Sequence, residues 1–249
     1  MLDNFLKAQQ YSKAVSSYGI GWLTNKSGYP TVFDDSRVRC NFDQIVDTGR
    51  YSCSNPNLQQ LPSKLRHRNA FRAAKDWTFC IGDYTGQELG IIAIGAEEET
   101  WIEAMLKGHD VHSVMGAKLH GEKYWRKIAE PGCTFPFKCK CKSHNKLRRP
   151  VKDLNFGLAY GKGAAALAED MGCTVEEAQD KINEYFKLIP RIKKWLQRNG
   201  KYAIDFKEAF TFEPFNRRRA LNEDEEWRRR NQGKNTPVQG PGGDILKLA

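Results

Sequence analysis

The sequence predicts an α+β fold that is mainly helical. Apolar residues recur at helical intervals over long stretches, whereas strand-like patterns are confined to short segments within residues 31–46, 79–83 and 210–221. Hydrophobic residues make up 40% and charged residues 28% of the 249 positions, a balance that places the chain among globular rather than disordered proteins. No run of about 18 apolar residues exists, so neither a transmembrane helix nor a membrane partner is expected.

The charge balance points to a polyanionic partner. The chain carries 40 Lys and Arg against 30 Asp and Glu, a net charge of +10. Such an excess favours binding to a phosphate backbone, and the alternative is a basic protein without a nucleic-acid partner. The first residues lack the features of a secretion signal, and an odd number of cysteines, seven, fits a reducing compartment. A cytoplasmic location, in a bacterial or phage-infected cell, is therefore expected.

The first third of the chain combines a helix, a polar loop and a strand. Residues 2–18 place apolar side chains at helical spacing, and residues 48–62 form a polar loop with little periodicity. Residues 79–83 are predicted to be a short buried strand that ends in Asp83, followed by an apolar helix over residues 89–96. An acid at the end of a buried strand stands on rigid support for a metal site, although an acid before a helix is more commonly its N-cap.

The rest of the chain is predicted to be mostly helical. Residues 99–128 contain two expected helices, and residues 174–198 contain one or two helices broken at Pro190. Thr174, followed by Glu177, has the spacing of a capping box. Two strands of a hairpin are expected within residues 210–221.

The segment from residue 148 to residue 161 is the most informative about function. On a helix, its cations and rings at four-residue spacing share one face, which spans roughly 18 Å. Two cations stand at the N-terminal end of this face and two aromatic rings follow, which suits the polyanionic tail and flat base of a nucleoside triphosphate. The alternative is an aromatic pair in the core with its cations in solvent. These residues are Arg148, Lys152, Phe156 and Tyr160.

The pattern Arg-x3-Lys-x3-Phe-x3-Tyr-Gly resembles the nucleotide-binding fingers helix of the DNA polymerase I-like family, the family A DNA polymerases. Residues 48–62, 83–89 and 235–247 resemble three further segments of that family, in the family's order. The resemblance implies a partial right-hand polymerase with a truncated palm sheet and helical fingers. Its implied parts are a helix from the thumb–palm junction, a first palm segment, the fingers and a return helix to the palm, at residues 1–22, 23–98, 99–222 and 223–249.

The resemblance also implies a role for individual residues. Asp83, with the backbone carbonyl of Tyr84, would bind two Mg²⁺ ions, and Glu88 would exclude a 2′-hydroxyl group. Gly90 departs from the family's usual arginine, which weakens only the expected local DNA contacts. The implied phosphate and nucleoside contacts are His112 and Arg148 at the phosphates, Lys152 as the acid that protonates pyrophosphate, Phe156 at the sugar and Tyr160 at the templating base. The implied contacts with primer-template DNA are Arg50, Asn57, Gln59, Asn235 and Gln239.

A cysteine-rich insert at residues 131–147 departs from the family pattern. It supplies three thiols and an imidazole, a sufficient set for a tetrahedral structural zinc, although the spacing is not that of a standard zinc finger. The alternative is a simple basic loop, because lysines alternate with the cysteines. The candidate ligands are Cys133, Cys139, Cys141 and His144.

The implied activity is template-directed transfer of a deoxynucleotide from dNTP to a primer end in DNA replication. The family's second catalytic carboxylate lies in an H-D motif downstream of the segment that residues 235–247 resemble, and no H-D pair follows that segment in this sequence. We therefore expect the lone chain to be inactive or very weak, as a fragment or as one part of a split polymerase completed by a second polypeptide. The alternatives are a non-catalytic basic zinc-containing nucleic-acid-binding module and a relative of the single-subunit RNA polymerases, against which Glu88 argues.

Overall fold

A computed structural model describes residues 30–62, 68–159 and 161–249, together with Gly28 and eight positions between residues 4 and 15. The chain divides into two compact units, residues 1–83 and residues 84–249. The eight described positions between residues 4 and 15 are helical, as the apolar periodicity of residues 2–18 predicts.

The first unit contains a small antiparallel hairpin. Strands β1 (Asn41–Asp43) and β2 (Ser52–Ser54) pair with Phe42 opposite Cys53. A 3₁₀ turn at Leu58–Gln60 follows, and the side chain of Asn57 caps it. The polar loop predicted over residues 48–62 therefore contains a strand and a helical turn, and its backbone is held by local hydrogen bonds.

The predicted buried strand at residues 79–83 is wrong. This segment has no strand pairing, and its apolar side chains are exposed: Ile81 is 89% and Phe79 is 59% accessible. A strand needs a neighbour that supplies hydrogen bonds to its backbone, and β1 and β2 of this unit pair with each other. An apolar run predicts a strand only where such a partner lies beside it.

Helices dominate the second unit. The apolar run after Asp83 is helical as predicted, residues 99–128 contain three helices rather than two, and the break at Pro190 separates two helices. Thr174 and Glu177 form the predicted capping box. The described helices are α1 (Gln87–Gly95), α2 (Glu99–Leu106), α3 (Val111–His120), α4 (Glu122–Lys127), α5 (Lys142–Ala159), α6 (Ala164–Met171), α7 (Val175–Leu188), α8 (Pro190–Phe206) and α9 (Glu226–Leu248).

The core of this unit lies between α5 and the helices around it. Val151, Leu154 and Leu158 bury one side of α5 against apolar residues of α3 and α7. Burial of one side leaves the opposite side of α5, with Lys152, exposed. The core therefore determines which face of α5 is available to a ligand.

Helix α9 packs closely despite two prolines and several glycines in its interior. It contacts α8 and α1, and a side chain at Gly233 would come within 2.7 Å of the Asn199 backbone oxygen. A side chain at Gly240 would overlap the Thr211 methyl group, next to the hairpin of β3 (Glu208–Phe210) and β4 (Arg218–Ala220). The glycines allow this approach, and packing outweighs their low helix propensity.

No helix in the described part of the chain combines the length and the hydropathy that a membrane crossing requires.

Candidate functional site

Helix α5 carries the predicted row of cations and rings. Arg148, Lys152 and Phe156 follow one another at four-residue spacing; Lys152 is exposed, Arg148 is half-buried and Phe156 packs in part against the core. The Lys152 ammonium lies 5.9 Å from the centre of the Phe156 ring. Tyr160, the last member of the predicted row, lies outside the described residues.

An ion pair orients Arg148. Its Nε and Nη2 atoms each donate to a different carboxylate oxygen of Asp110 at 2.6 Å, and the two side chains are 14% and 12% accessible. Asp110 also caps α3, because it accepts hydrogen bonds from the Ser113 amide at 2.9 Å and hydroxyl at 2.6 Å. Of the five guanidinium N–H groups, two point at Asp110, and the three others are directed elsewhere.

The charge state of Asp110 follows from these contacts. Burial alone would raise the pKa of the Asp110 carboxyl group, but the hydrogen bonds from Arg148 and Ser113 outweigh burial and hold the pKa below its usual value. Asp110 is therefore ionised at neutral pH, and the pair with Arg148 is a neutral unit.

A buried hydrogen-bond chain orients His112. The His112 ring is 6% accessible, and its Nδ1 lies 2.7 Å from the Asn155 amide nitrogen. The Asn155 carbonyl oxygen accepts from the Tyr185 hydroxyl, so the amide group turns its NH₂ toward His112. Because Nδ1 accepts this hydrogen bond, the proton of the neutral ring is on Nε2.

The environment also keeps His112 neutral. Burial lowers the pKa of His112 to about 4; the charge of Asp110 opposes this shift, and Arg148, Lys152 and Lys138 reinforce it. At neutral pH the ring is thus an N–H donor. Its centre lies 5.7 Å from that of Phe156, beside the row on α5.

Sequence analysis missed Asp110, Asn155 and Tyr185 as supports of this site. Asn155 interrupts the apolar side of α5 between Leu154 and Leu158, and a polar residue on a buried helix face was a signal that could have identified it. No local pattern indicated that Asp110 pairs with a residue 38 positions away.

The acidic residues of the candidate site, Asp83 and Glu88, come from different units of the chain. The N-cap of α1 is Gly86, in a left-handed conformation at φ 69°, so Asp83 is not the cap of this helix. Asp83 is exposed at the end of the first unit. In the second unit, Tyr84 is half-exposed and Glu88 lies half-buried in the first turn of α1.

The candidate DNA contacts occur in both units. In the first unit, Arg50, Asn57 and Gln59 are all exposed, and Gln59 donates to the Tyr51 carbonyl oxygen at 2.9 Å. In the second unit, Asn235 and Gln239 are half-buried on α9, one turn apart.

Asp244 lies on the same helix and pairs with Arg217 of the hairpin at 3.3 Å. Arg217 is thereby engaged within the protein, and the contact joins α9 to the strand pair.

The four candidate zinc ligands lie together. The thiol sulfurs of Cys133, Cys139 and Cys141 and a ring nitrogen of His144 all lie within 4.8 Å of one another. The His144 Nδ1 atom is 3.5 Å from the Cys133 sulfur and 3.2 Å from the Cys139 sulfur. Tetrahedral zinc bonds imply sulfur–nitrogen separations of about 3.6 Å and sulfur–sulfur separations of about 3.8 Å.

A hydrogen bond from the second ring nitrogen of His144 orients the ring as a metal ligand. Its Nε2–H donates to the Trp125 carbonyl oxygen at 2.7 Å, which leaves the lone pair of Nδ1 on the side of the Cys133 and Cys139 sulfurs. The imidazole stacks on the Trp125 ring at 4.6 Å between centres, and both side chains are fully buried.

Comparison with known proteins identifies the family. The sequence profile of DNA polymerase family A matches residues 1–249. The chain belongs to DNA polymerase family A. The predicted family is thus confirmed, and family A polymerases use divalent metal ions, generally Mg²⁺.

Named relatives show how much of a family A polymerase is represented. DNA polymerase I of Caldicellulosiruptor bescii is 31% identical over 98% of this chain and 27% of its own length. DNA polymerase I B, chloroplastic/mitochondrial, of Arabidopsis thaliana is 32% identical over 86% of this chain and 22% of its own length. The chain thus spans about a quarter of the length of these relatives.

A solved family A structure supports the fold. The POL domain of Pol1 from M. smegmatis, in complex with DNA primer-template and dNTP, matches 98% of this chain and 41% of that chain. The TM-score is 0.77 at 26% sequence identity. The predicted mainly helical, partial polymerase fold is therefore confirmed.

Proposed function

We propose that this chain forms the dNTP-binding part of a DNA-directed DNA polymerase that extends a primer in DNA replication. The observation that carries the proposal is the row on α5, where Lys152 and the oriented Arg148 precede Phe156, whose ring centre lies 5.7 Å from that of the neutral His112. Membership of family A supports deoxynucleotide transfer as the reaction. In this proposal residues 99–222 are the fingers, and the palm is formed in part by residues 23–98.

In this proposal each side chain of the site contacts a different part of the nucleotide. Lys152 and the N–H groups of Arg148 not used by Asp110 bind phosphate oxygens, and neutral His112 donates its Nε2–H to another. Phe156 packs against the sugar, and Tyr160 stacks near the templating base. Lys152 also supplies a proton to the departing pyrophosphate, because an ammonium group beside the leaving oxygen is a suitable general acid.

Asp83 and the backbone carbonyl of Tyr84 are the proposed holders of two Mg²⁺ ions. An exposed carboxylate that is not the cap of α1 suits this role, because Mg²⁺ prefers oxygen ligands. Two Mg²⁺ ions held there would supply the activation of the primer hydroxyl group and the stabilisation of the leaving pyrophosphate. We propose that the second carboxylate comes from another segment of the same polypeptide or from a second polypeptide.

Primer-template DNA is the proposed macromolecular partner. Glu88 limits the space at the 2′ position and selects dNTP over rNTP. The excess of positive charge, +10, supports binding to the DNA backbone. The proposed DNA contacts are Arg50, Asn57, Gln59, Asn235 and Gln239.

We also propose a structural Zn²⁺ at the Cys/His cluster formed by Cys133, Cys139, Cys141 and His144. The ligand type, the separations of at most 4.8 Å and the oriented His144 support zinc, because three thiolates and one imidazole form a closed four-coordinate set.

Equilibrium binding of dNTP to the 249-residue chain with Mg²⁺ tests the proposed nucleotide site. Lys152→Ala is expected to weaken binding roughly tenfold to a hundredfold, because it removes a charge-assisted hydrogen bond to phosphate. The matched control is Lys187→Ala, an exposed lysine on α7 that is expected to leave binding unchanged. Equal effects of the two variants would refute the proposed site.

A second outcome would favour the other candidate function. Salt-sensitive binding of duplex DNA that dNTP and Mg²⁺ leave unchanged would indicate a basic zinc-containing nucleic-acid-binding module. The net charge and the Cys/His cluster are the observations behind this candidate.

A further inference from the structure

We infer that zinc bound by the Cys/His cluster holds the Arg148–Asp110 pair in place and thereby sets the affinity of the chain for a nucleoside triphosphate. This inference rests on the proposed function, because it concerns the same phosphate-binding residues. In this inference the metal does more than stabilise the cysteine-rich loop, because it also holds one end of the nucleotide site in place.

The first link between the metal cluster and this pair is helix α5 itself. Cys141 immediately precedes α5, and His144 lies in its first turn. Arg148 follows His144 by four residues, a rise of about 6 Å on nearly the same side of the helix. A metal bonded to Cys141 and His144 therefore fixes the helix one turn before the arginine.

The second link reaches Asp110 from the other half of the cluster. Cys133 and Cys139 enclose a loop whose Pro136 carbonyl oxygen accepts from the Asp110 backbone amide at 3.0 Å. In the same loop, the Phe137 ring meets the His109 ring edge-on at 5.2 Å between centres. Arg148 thus follows the segment that carries two of the ligands, and Asp110 is hydrogen-bonded to the segment that carries the other two.

Trp125 provides a rigid base for this arrangement. Its carbonyl oxygen accepts from His144, and its ring stacks on the imidazole. The six-membered edge of the Trp125 ring lies so near Gly116 of α3 that a side chain there would come within 2.6 Å. A ligand of the metal is therefore packed through Trp125 onto the helix that begins at the Asp110 cap.

The loop is held by local hydrogen bonds and ring contacts rather than by regular secondary structure. Residues 128–141 contain no helix or strand. Three thiolates with Zn²⁺ and a neutral imidazole carry a net charge of −1, which exposed lysines between and beside the ligands, Lys138, Lys140 and Lys142, can offset. A bound metal accordingly adds strong cross-links to a segment with little regular structure.

Metal content and amide exchange test the structural half of the inference. The purified chain is expected to contain one zinc per molecule, and Co²⁺ exchanged into it is expected to show the absorption of a tetrahedral thiolate site. Chelation is expected to increase hydrogen exchange at the Asp110 amide and to leave the amides of α8 unchanged. Absence of zinc binding, or unchanged exchange at Asp110, would overturn the inference.

Nucleotide affinity tests the functional half. Chelation of the wild-type chain, or Cys139→Ser, is expected to weaken dNTP binding roughly tenfold, the scale of one charge-assisted hydrogen bond. Added Zn²⁺ should restore the chelated wild type. The half-buried Cys173, outside the cluster, gives the control Cys173→Ser, for which neither zinc content nor affinity should change. His144→Cys keeps four ligands and should retain zinc even if Cys139→Ser fails to fold.

The Arg148→Ala variant shows whether the coupling passes through the arginine. In this variant, removal of zinc should change dNTP affinity much less than in the wild type, as expected for two changes that act on one interaction. Zinc removal that leaves the affinity of the wild type unchanged refutes the inference alone. A wild-type chain that binds zinc but no dNTP refutes the proposed nucleotide site, and the exchange of the Asp110 amide still tests the support by the metal.

Discussion

Replacement of Asp110 by asparagine tests whether the Arg148–Asp110 pair organises the second unit. Asparagine has the same shape and remains a good helix N-cap, so the substitution removes mainly the negative charge. The Arg148 side chain, only 14% accessible, would then keep its positive charge without a full partner. Removal of one partner of a fully buried ion pair costs about 3–5 kcal/mol, and because both side chains retain some contact with water we expect about 2 kcal/mol.

The assay is urea unfolding followed by tryptophan fluorescence, because Trp101 and Trp125 are fully buried in this unit. Asp110→Ala should lose about 1 kcal/mol more than Asp110→Asn, since alanine also abolishes the cap. The matched control is Asp205→Asn, which breaks an exposed pair with Lys201 and should change the unfolding free energy by less than about 1 kcal/mol.

The effect of Asp110 also has a defined pH dependence. The pKa of its carboxyl group is lowered in the folded protein, so its stabilising effect is fully present above the unfolded pKa of about 3.9. This stability is lost as the pH falls through the lower folded pKa. The difference between wild type and Asp110→Asn should therefore shrink below about pH 4. An Asp110→Asn chain as stable as the wild type at pH 7 would refute the reasoning.

Three further predictions concern other parts of the site and its support. The imidazole of His112 should titrate by NMR with a pKa of about 4. The contribution of the neutral ring to stability is therefore fully present above the unfolded pKa of about 6.5 and declines as the pH falls toward the folded pKa. A titration near 6.5 would contradict its burial. Asn155→Ala should lower the unfolding free energy by about 2 kcal/mol or more, since it leaves the buried polar groups of His112 and Tyr185 unsatisfied. An unchanged unfolding free energy would show that water replaces the amide. Gly240→Ala should lower the unfolding free energy, measured in urea, by about 1–3 kcal/mol, because the added methyl group would overlap Thr211. Gly163→Ala, with open space around it, is the control. Equal stabilities of the two variants would disprove the close packing of α9.

Local spacing was sufficient to predict several features of this chain. Four-residue intervals fix the angle between side chains on a helix, so Arg148, Lys152 and Phe156 had to share a face once α5 formed. The capping box of Thr174 and Glu177 depends on three-residue spacing in the same way. The family resemblance likewise follows from residue order, which needs no coordinates.

The strand predicted before Asp83 shows where local sequence patterns mislead. The apolar residues before Asp83 predicted a buried strand, but strand formation depends on hydrogen bonds from a second segment, and the local sequence carries no information about whether one is present. Helical hydrogen bonds are satisfied within the segment, and the apolar run after Asp83 was accordingly predicted correctly.

The sequence alone therefore determined most of the helices, the row of cations and rings on α5, and the chemical types of the four candidate zinc ligands. Tertiary structure alone decided which residues support these groups across the fold: Asp110 at Arg148, Asn155 at His112 and Trp125 at His144. The physical reason is that periodicity sets directions within a helix, whereas contacts between helices depend on how their buried faces pack. The same packing brings the three thiols of the 131–141 loop and the His144 ring within 4.8 Å of one another.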